Sequence, residues 1–311
     1  LGGPGAVFWM WMSALLGIAT KFYTCTLAVM FRGKDSEGQW QGGPMYVVRE
    51  GLGPRWRGLA YFFALAGLLG TMPIFQVNQL VQVLRDTLAI PAGITQQGSH
   101  FLFDFSLGVI LASLVVVVAL GQLPRLGRVT AMLVPSMVAG YLLLTLVVLA
   151  RELEQVPAAL ALIVSDAFSG KAAAGGALGA VIITGFRRAA FSNEAGIGSA
   201  AIAHSAAKTN EPVREGMVAM LGPFIDTIVI CLMTGLVITI TNVYQTAPQG
   251  LDGSAVTMLA FRTTPALANW FPYILSVCII LFAFSTMISW SYYGLKAWTY
   301  LFGETMISGL I

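Results

Sequence analysis

The sequence contains little charge and few cysteines. Aspartate, glutamate, lysine and arginine make up 10% of its 311 residues, against about 25% in a typical soluble domain. The net charge is +3, and no basic run or aromatic-basic pattern indicates a nucleic-acid surface. Its three cysteines lack the paired spacing of metal ligands, and its glycines form no dinucleotide-binding or phosphate-binding motif. These absences exclude a nucleic-acid-binding protein and a cysteine-based metal centre.

Long apolar runs dominate the chain instead. Hydrophobic residues make up 57% of the sequence, and the mean hydropathy is +0.79. A helix needs about 20 predominantly apolar residues to cross the hydrocarbon layer of a bilayer. Seven stretches meet this requirement, at residues 6–30, 58–84, 101–121, 129–150, 174–206, 215–241 and 268–302. The sequence therefore predicts an all-α, polytopic transmembrane helix bundle, because helices satisfy their own backbone hydrogen bonds in lipid.

Lysine and arginine are distributed unequally between alternate loops. Four lie in loops of one parity and nine in loops of the other, the nine being Arg32, Lys34, Arg49, Arg55, Arg57, Arg125, Arg128, Lys208 and Arg214. The positive-inside rule places the nine in the cytoplasm and the first residue outside. A first span that descends from outside, a start without methionine and an apolar final stretch lead us to expect a fragment truncated at both ends.

The fifth predicted span carries charges and glycines at its centre. Residues 184–200 read TGFRRAAFSNEAGIGSA, with two arginines, one glutamate and three glycines. A charge at that depth costs about 3 kcal/mol or more unless it has a partner or water. Glycines around Ser192, Asn193 and Glu194 permit the helix to unwind, and the freed carbonyls and amides match the two charges of an amino-acid zwitterion. The alternative is a cytoplasmic loop between two short helices, held by surface salt bridges.

Amide side chains lie along the second predicted span. Gln76 and Gln79 share one helix face, as do Gln79 and Gln82, because residues three apart are neighbours on a helix. Two interpretations carry equal weight at this point. The amides either line a cavity or form a hydrogen-bonded seam with another helix.

Hydroxyl and charged groups occur inside other spans. Ser285 and Thr286, with Trp290 one turn on, offer oxygen ligands for Na⁺ and a wall for a small substrate, although such hydroxyls often bond back to their own helix. Asp226, Thr227 and Lys21 are further intramembrane polar residues, which are functional or ion-paired by default. Glu194 is one candidate partner for Lys21.

Several motifs, in this order along nearly the whole chain, resemble those of the alanine or glycine:cation symporters. They are Gly2-Gly3-Pro4-Gly5-Ala6-Val7-Phe8-Trp9-Met10-Trp11, Ala19-Thr20-Lys21-Phe22, Gly42-Gly43-Pro44-Met45-Tyr46, Phe191-Ser192-Asn193-Glu194-Ala195-Gly196, Phe284-Ser285-Thr286 and Trp290-Ser291-Tyr292-Tyr293-Gly294. The resemblance implies a leucine-transporter type fold, with two inverted five-helix repeats whose first and sixth core helices are unwound at the substrate. Residues 1–311 are then one transmembrane transporter domain holding core helices two to eight, and the first core helix precedes Leu1.

The same resemblance implies a set of binding residues. Those expected around the amino acid are Gln76, Gln79, Phe191, Ser192, Asn193, Gly196, Thr286 and Trp290. Ser285 and Thr286 are expected to supply the side-chain half of a Na⁺ site. The chain departs from the family pattern at Thr24, where a glutamate is expected shortly after the lysine, so Lys21 loses a candidate partner.

Sodium-coupled symport of alanine or glycine, by alternating access in a prokaryotic plasma (inner) membrane, is the function that the resemblance implies. Na⁺ is then a co-transported ion, and no cofactor is expected. An ion channel or pore is the alternative, but no repeated filter motif or ring-forming acidic residue supports it. An intramembrane enzyme is disfavoured because the nearest candidates for a paired nucleophile and base, Ser192 and Glu194, are better explained by the helix break.

Overall fold

The computed structural model describes residues 2–35, 38, 40–96, 98–119, 122–169, 177–248, 253–263 and 270–303. Helices account for most of this part of the chain. They are α1 (Gly5–Met30), α2 (Arg57–Gly70), α3 (Ile74–Leu84), α4 (Phe101–Ala119), α5 (Gln122–Arg151), α6 (Val156–Ala167), α7 (Ala177–Asn193), α8 (Ser199–His204), α9 (Pro212–Pro223), α10 (Leu232–Ile240), α11 (Ser254–Arg262) and α12 (Phe271–Phe302).

Shorter elements join these helices. Single helical turns lie at Pro44–Tyr46, Pro54–Trp56, Leu153–Gln155 and Val243–Thr246, and wider π-helical turns lie at Val47–Leu52, Arg85–Ala89 and Phe224–Cys231. An antiparallel ribbon pairs β1 (Gly33–Lys34) with β2 (Trp40–Gln41). This ribbon follows α1, in the loop that the positive-inside rule assigns to the cytoplasm.

Six segments among the described residues are long and apolar enough to cross a membrane. They are Gly5–Met30, Pro54–Ala89, Phe101–Ala119, Arg125–Arg151, Pro212–Ile240 and Phe271–Phe302. Each overlaps one of the predicted spans, and the fifth predicted span is instead divided between α7 and α8. The prediction of a polytopic helical protein is confirmed. The leucine-transporter arrangement and the single truncated domain stay predictions.

The chain divides into two compact units, which are described separately. The first comprises Leu1–Thr71, Leu160–Leu232 and Tyr293–Ile311, and the second comprises Met72–Ala159 and Met233–Tyr292. In the first unit, α1 packs against α7, α8 and α9. Glycines permit this close approach, since a Cβ added to Gly216 would lie 2.0 Å from Thr26 Oγ1, and one added to Gly185 would lie 2.5 Å from Trp9 Cβ. Small residues at helix contacts are typical of membrane bundles.

In the second unit, apolar side chains of three helices form a buried cluster. Leu80 and Val81 of α3 pack with Leu111 of α4 and with Ala283 and Met287 of α12. Leu111 is the one buried residue of α4, all of which is described, so most of this apolar helix faces outward. This exposure is typical of a helix that contacts lipid, because soluble proteins rarely expose so large an apolar surface to water.

Candidate functional site

The fifth predicted span is broken, as its glycines predict. Helix α7 ends at Asn193 and α8 begins at Ser199. Between them Glu194, Gly196 and Gly198 have φ angles of 56°, 86° and 92°. These angles lie in the left-handed region that interrupts a helix and favours glycine. Unwinding leaves the last carbonyls of α7 and the first amides of α8 without helical partners.

Lys21 holds the end of α7. Its side chain lies on α1 and is 9% exposed, and Nζ donates a hydrogen bond of 2.7 Å to the Asn193 carbonyl. A cation at a helix C-terminus is favourable because the helix dipole is negative there. The carboxylates of Glu194 and Asp226 also attract the ammonium group. Lys21 therefore donates a hydrogen bond to a backbone carbonyl at the break. It is also attracted by Glu194, the partner that the sequence suggested.

Asn193 and Ser192 connect α7 to the π-helical turn Phe224–Cys231. Asn193 Nδ2 donates to Thr227 Oγ1 at 3.0 Å, and Ser192 Oγ donates to the Asp226 carboxylate. Asn193 Oδ1 accepts a hydrogen bond of 2.9 Å from the Ala195 amide. Turns of the π type occur often at functional sites. Asp226 and Thr227, predicted as intramembrane polar residues, therefore have partners at the helix break.

Other residues around the break differ in exposure, since Ser199 is buried and Phe191 is exposed. Ser199 Oγ donates to Glu194 Oε2 at 2.7 Å, which ties the start of α8 to the unwound segment. The side chain of Phe191 is 46% exposed.

Thr24 donates its hydroxyl to the Thr20 carbonyl of its own helix at 2.9 Å. The residue that replaces the expected glutamate therefore stabilises α1 locally.

The other predicted binding residues belong to the second unit. Gln76 is buried, and its Oε1 has no hydrogen-bond partner within the described part of the chain. Gln79 Oε1 accepts from the amide and the hydroxyl of Ser254, at 3.1 and 2.7 Å. Gln79 therefore joins α3 to the start of α11, which supports the seam interpretation for this residue.

Ser285 and Thr286 both bond back to their own helix. Their hydroxyls donate to the Phe282 carbonyl, at 3.0 and 2.9 Å respectively. A hydroxyl that donates its hydrogen still has oxygen lone pairs to offer a cation. Within the described residues, no group of three His, Cys, Asp or Glu side chains is placed to hold a metal ion. A hard cation also accepts hydroxyl and carbonyl oxygens, so such a group is not required for Na⁺.

The structure thus places the predicted residues in two groups. Phe191, Ser192, Asn193 and Gly196 lie at the helix break in the first unit. The second unit contains the others, which are Gln76, Gln79, Ser285, Thr286 and Trp290. Sequence reasoning missed the Lys21 bond to Asn193 because its acceptor is a backbone carbonyl, which no residue type signals.

Arg32 fixes the loop that follows α8. Its guanidinium donates to the carbonyls of Ser205, Ala207 and Thr209, at 2.7, 2.5 and 3.1 Å. Burial lowers the pKa of the Arg32 guanidinium, and attraction to the Glu215 carboxylate opposes this shift. An arginine remains charged in proteins, so these three hydrogen bonds stay charge-assisted. They hold the loop at the predicted cytoplasmic end of the broken helix.

The fold and the break together define a class of protein. A multi-pass helical protein with a helix interrupted inside an apolar span is typical of secondary transporters. The chain belongs to the sodium:alanine symporter family, whose family model matches residues 1–311. This is a family of transporters and not of enzymes.

Relatives in bacteria and archaea support this assignment. An uncharacterized transporter of Haemophilus influenzae is 41% identical, over 97% of this chain and 64% of its own length. The sodium/alanine symporter AgcS of Methanococcus maripaludis is 38% identical, over 97% of this chain and 65% of its own length. The probable sodium/glutamine symporter GlnT of Bacillus subtilis is 37% identical, over 94% and 58%. The chain therefore spans about three fifths of the length of these relatives.

Proposed function

We propose that this chain is part of a sodium-coupled symporter that carries a small neutral amino acid, alanine or glycine, across the plasma membrane. The observation that carries the proposal is the break between α7 and α8 inside an apolar bundle. Three charged residues, Lys21, Glu194 and Asp226, lie at this unwound backbone. The family and the relative named as a sodium/alanine symporter support the same activity. Because another relative is named for glutamine, the family alone does not fix which amino acid is carried.

The proposed substrate contacts follow from the two ends of the break. The amides at the start of α8 face the substrate carboxylate, and the carbonyls near the end of α7 face its ammonium group. Ser192 and Gly196 belong to these ends, while Asn193 positions them, because its side chain and its carbonyl are already bonded. Phe191 presents an exposed ring for the substrate side chain.

The predicted binding residues of the second unit are proposed from the resemblance to the family. Gln76 Oε1 has no hydrogen-bond partner within the described residues, which supports the predicted role of Gln76 in binding, because a buried carbonyl without a partner costs about 1–3 kcal/mol. Thr286 and Trp290 supply a hydroxyl and an aromatic wall. The Gln79 amide supports the geometry of α3 through Ser254.

The experiment that tests the function is uptake of radiolabelled alanine into proteoliposomes containing the full-length protein. With an inward Na⁺ gradient we expect saturable accumulation, and glycine should compete for it. Without the gradient, accumulation should disappear. Uptake that does not saturate, together with an ohmic current, would instead indicate a channel, and competition by glutamine alone would overturn the choice of alanine or glycine.

A double substitution tests the proposed Na⁺ ligands. Replacing Ser285 and Thr286 with alanine should raise the Na⁺ concentration for half-maximal uptake about tenfold, since two oxygen ligands of about 0.7 kcal/mol each are lost. Ser276→Ala is the matched control, because Ser276 is buried on the same helix and also donates to its own backbone. Equal Na⁺ dependence in the double variant and in the control would refute the assignment.

A further inference from the structure

A pocket in the second unit combines charges of both signs with apolar walls. Its volume is about 290 Å³, and it lies between α3, with the π-helical turn that follows it, and α11. This volume is close to the lower end of the range for small-molecule sites, roughly 300–1,000 Å³. Asp86 and Arg262 line it together with Gln82, Val83, Met258 and Leu259. We call it the Asp86–Arg262 pocket.

Residues at helical spacing line the two walls of this pocket, one on α3 and its π-helical turn and the other on α11. Gln82 and Asp86 are four residues apart on one wall, and Met258 and Arg262 are four apart on the other, so each pair shares a helix face. Gln79 holds the walls together at one end through its two hydrogen bonds to Ser254. The preceding residue, Gly253, has a φ of 57°, which favours glycine, and an added Cβ would lie 2.6 Å from Gln79 Oε1.

The two charged residues do not neutralise one another. No hydrogen bond or ion pair to Arg262 occurs in the described parts of the chain, whose nearest gaps are 249–252 and 264–269. Asp86 accepts a bond of 3.2 Å from Arg85 Nε, but Arg85 also donates to Asp104 at 2.6 Å. Within the described residues, the Arg262 guanidinium and Asp86 Oδ2 are therefore available to a ligand, whereas Asp86 Oδ1 is paired with Arg85.

We propose that the Asp86–Arg262 pocket is a second amino-acid site, separate from the helix break, that captures substrate before transport. Arg262 binds the carboxylate of the zwitterion, Asp86 binds its ammonium group, and Val83, Met258 and Leu259 contact a small side chain. This inference rests on the proposed function for the identity of its ligand. The positive-inside rule places Arg85 and Arg262 outside, where substrate arrives. Binding here is weak, because both charged side chains are exposed to water.

Kinetics of the full-length protein in proteoliposomes test the site. Arg262→Gln and Asp86→Asn should each raise the KM for alanine about fivefold, the effect of losing one exposed charge contact, and leave the maximal rate unchanged. Arg151→Gln is the matched control, because it removes another exposed arginine of the same unit on the same predicted side. If wild-type uptake occurs and all three variants retain the wild-type KM, the pocket is overturned while the symport function stands.

A second readout measures occupancy directly. Ala255 lines the pocket, so an Ala255→Cys variant in detergent should react with a charged thiol reagent more slowly when alanine is present. Propionate and ethylamine, which each carry one of the two charges, should protect less. Adding Arg262→Gln should abolish the protection by alanine. Protection that survives this substitution would contradict the site, and absent uptake with intact protection would count against the symport function alone.

Discussion

Lys21→Met is expected to reduce Na⁺-driven alanine uptake at least about a hundredfold. The substitution leaves the buried Asn193 carbonyl without its donor and removes the cation that attracts the carboxylates of Glu194 and Asp226. Breaking one partner of a buried charged interaction costs about 3–5 kcal/mol, and a hundredfold change corresponds to about 2.7 kcal/mol. The unwound segment should then lose its fixed position. The measurement is initial uptake rate in proteoliposomes with equal amounts of reconstituted protein.

The control for this prediction separates the charge from the bulk of the side chain. Lys21→Arg keeps a cation that can reach backbone carbonyls, so it should retain substantially more uptake than Lys21→Met. Both variants are compared by thermal unfolding in detergent, because a buried methionine could simply destabilise the bundle. Full activity of a well-folded Lys21→Met protein would show that the bond to Asn193 is dispensable.

The positions of the spans were largely predictable from the sequence, because lipid imposes a minimum apolar length. Their interruptions were less so. The predicted span 58–84 contains α2 and α3 as separate helices, with Thr71, Met72 and Pro73 between them. Pro73 is a signal that could have predicted this end, since proline disfavours helix at the residue before it. The π-helical turn at Phe224–Cys231 directly follows Pro223, and a proline inside an apolar span is likewise a signal of a local interruption.

The broken helix was predictable for a local reason, and its partners were not. Gly196 and Gly198 mark positions where φ is positive, and glycine is the residue that adopts this angle without strain. Lys21 and Asn193 are 172 residues apart, and their contact depends on how α1 packs against α7. Opposite charge predicts Glu194 as the partner of Lys21. The hydrogen bond of Lys21 goes instead to the backbone oxygen of Asn193, one residue earlier.

The Asp86–Arg262 pocket illustrates the same limit. In the sequence Arg262 is one of the few basic residues in a loop of the less positive side, and it serves only to assign orientation. Its spacing of four from Met258 indicates a helix face, but nothing local shows that Asp86 lies opposite. Gln79 joins the two walls of the pocket through its hydrogen bond to Ser254, and such a tertiary contact is not encoded in the periodicity of either segment.

Gly198→Ala is expected to abolish most uptake and to lower the unfolding temperature. Gly198 has a φ of 92°, and an added Cβ would lie 2.9 Å from both a Phe63 ring carbon and Pro44 Cγ. A left-handed alanine costs roughly 1–2 kcal/mol, and overpacking adds about 1–3 kcal/mol. Both costs apply at the start of α8, where the proposed carboxylate contacts are made, so the half-helix should shift or the bundle should loosen.

Gly196→Ala is the matched control, because it shares the backbone cost without the clash. Gly196 has a φ of 86°, but the nearest atom to an added Cβ is Thr20 Cγ2 at 3.9 Å. Its loss of uptake and of unfolding temperature should therefore be smaller. Adding Phe63→Leu should recover part of the loss in Gly198→Ala and none in Gly196→Ala, since it removes ring atoms that only the first variant meets. Equal defects in the two glycine variants, without rescue, would mean that backbone conformation alone explains the requirement for glycine at the break.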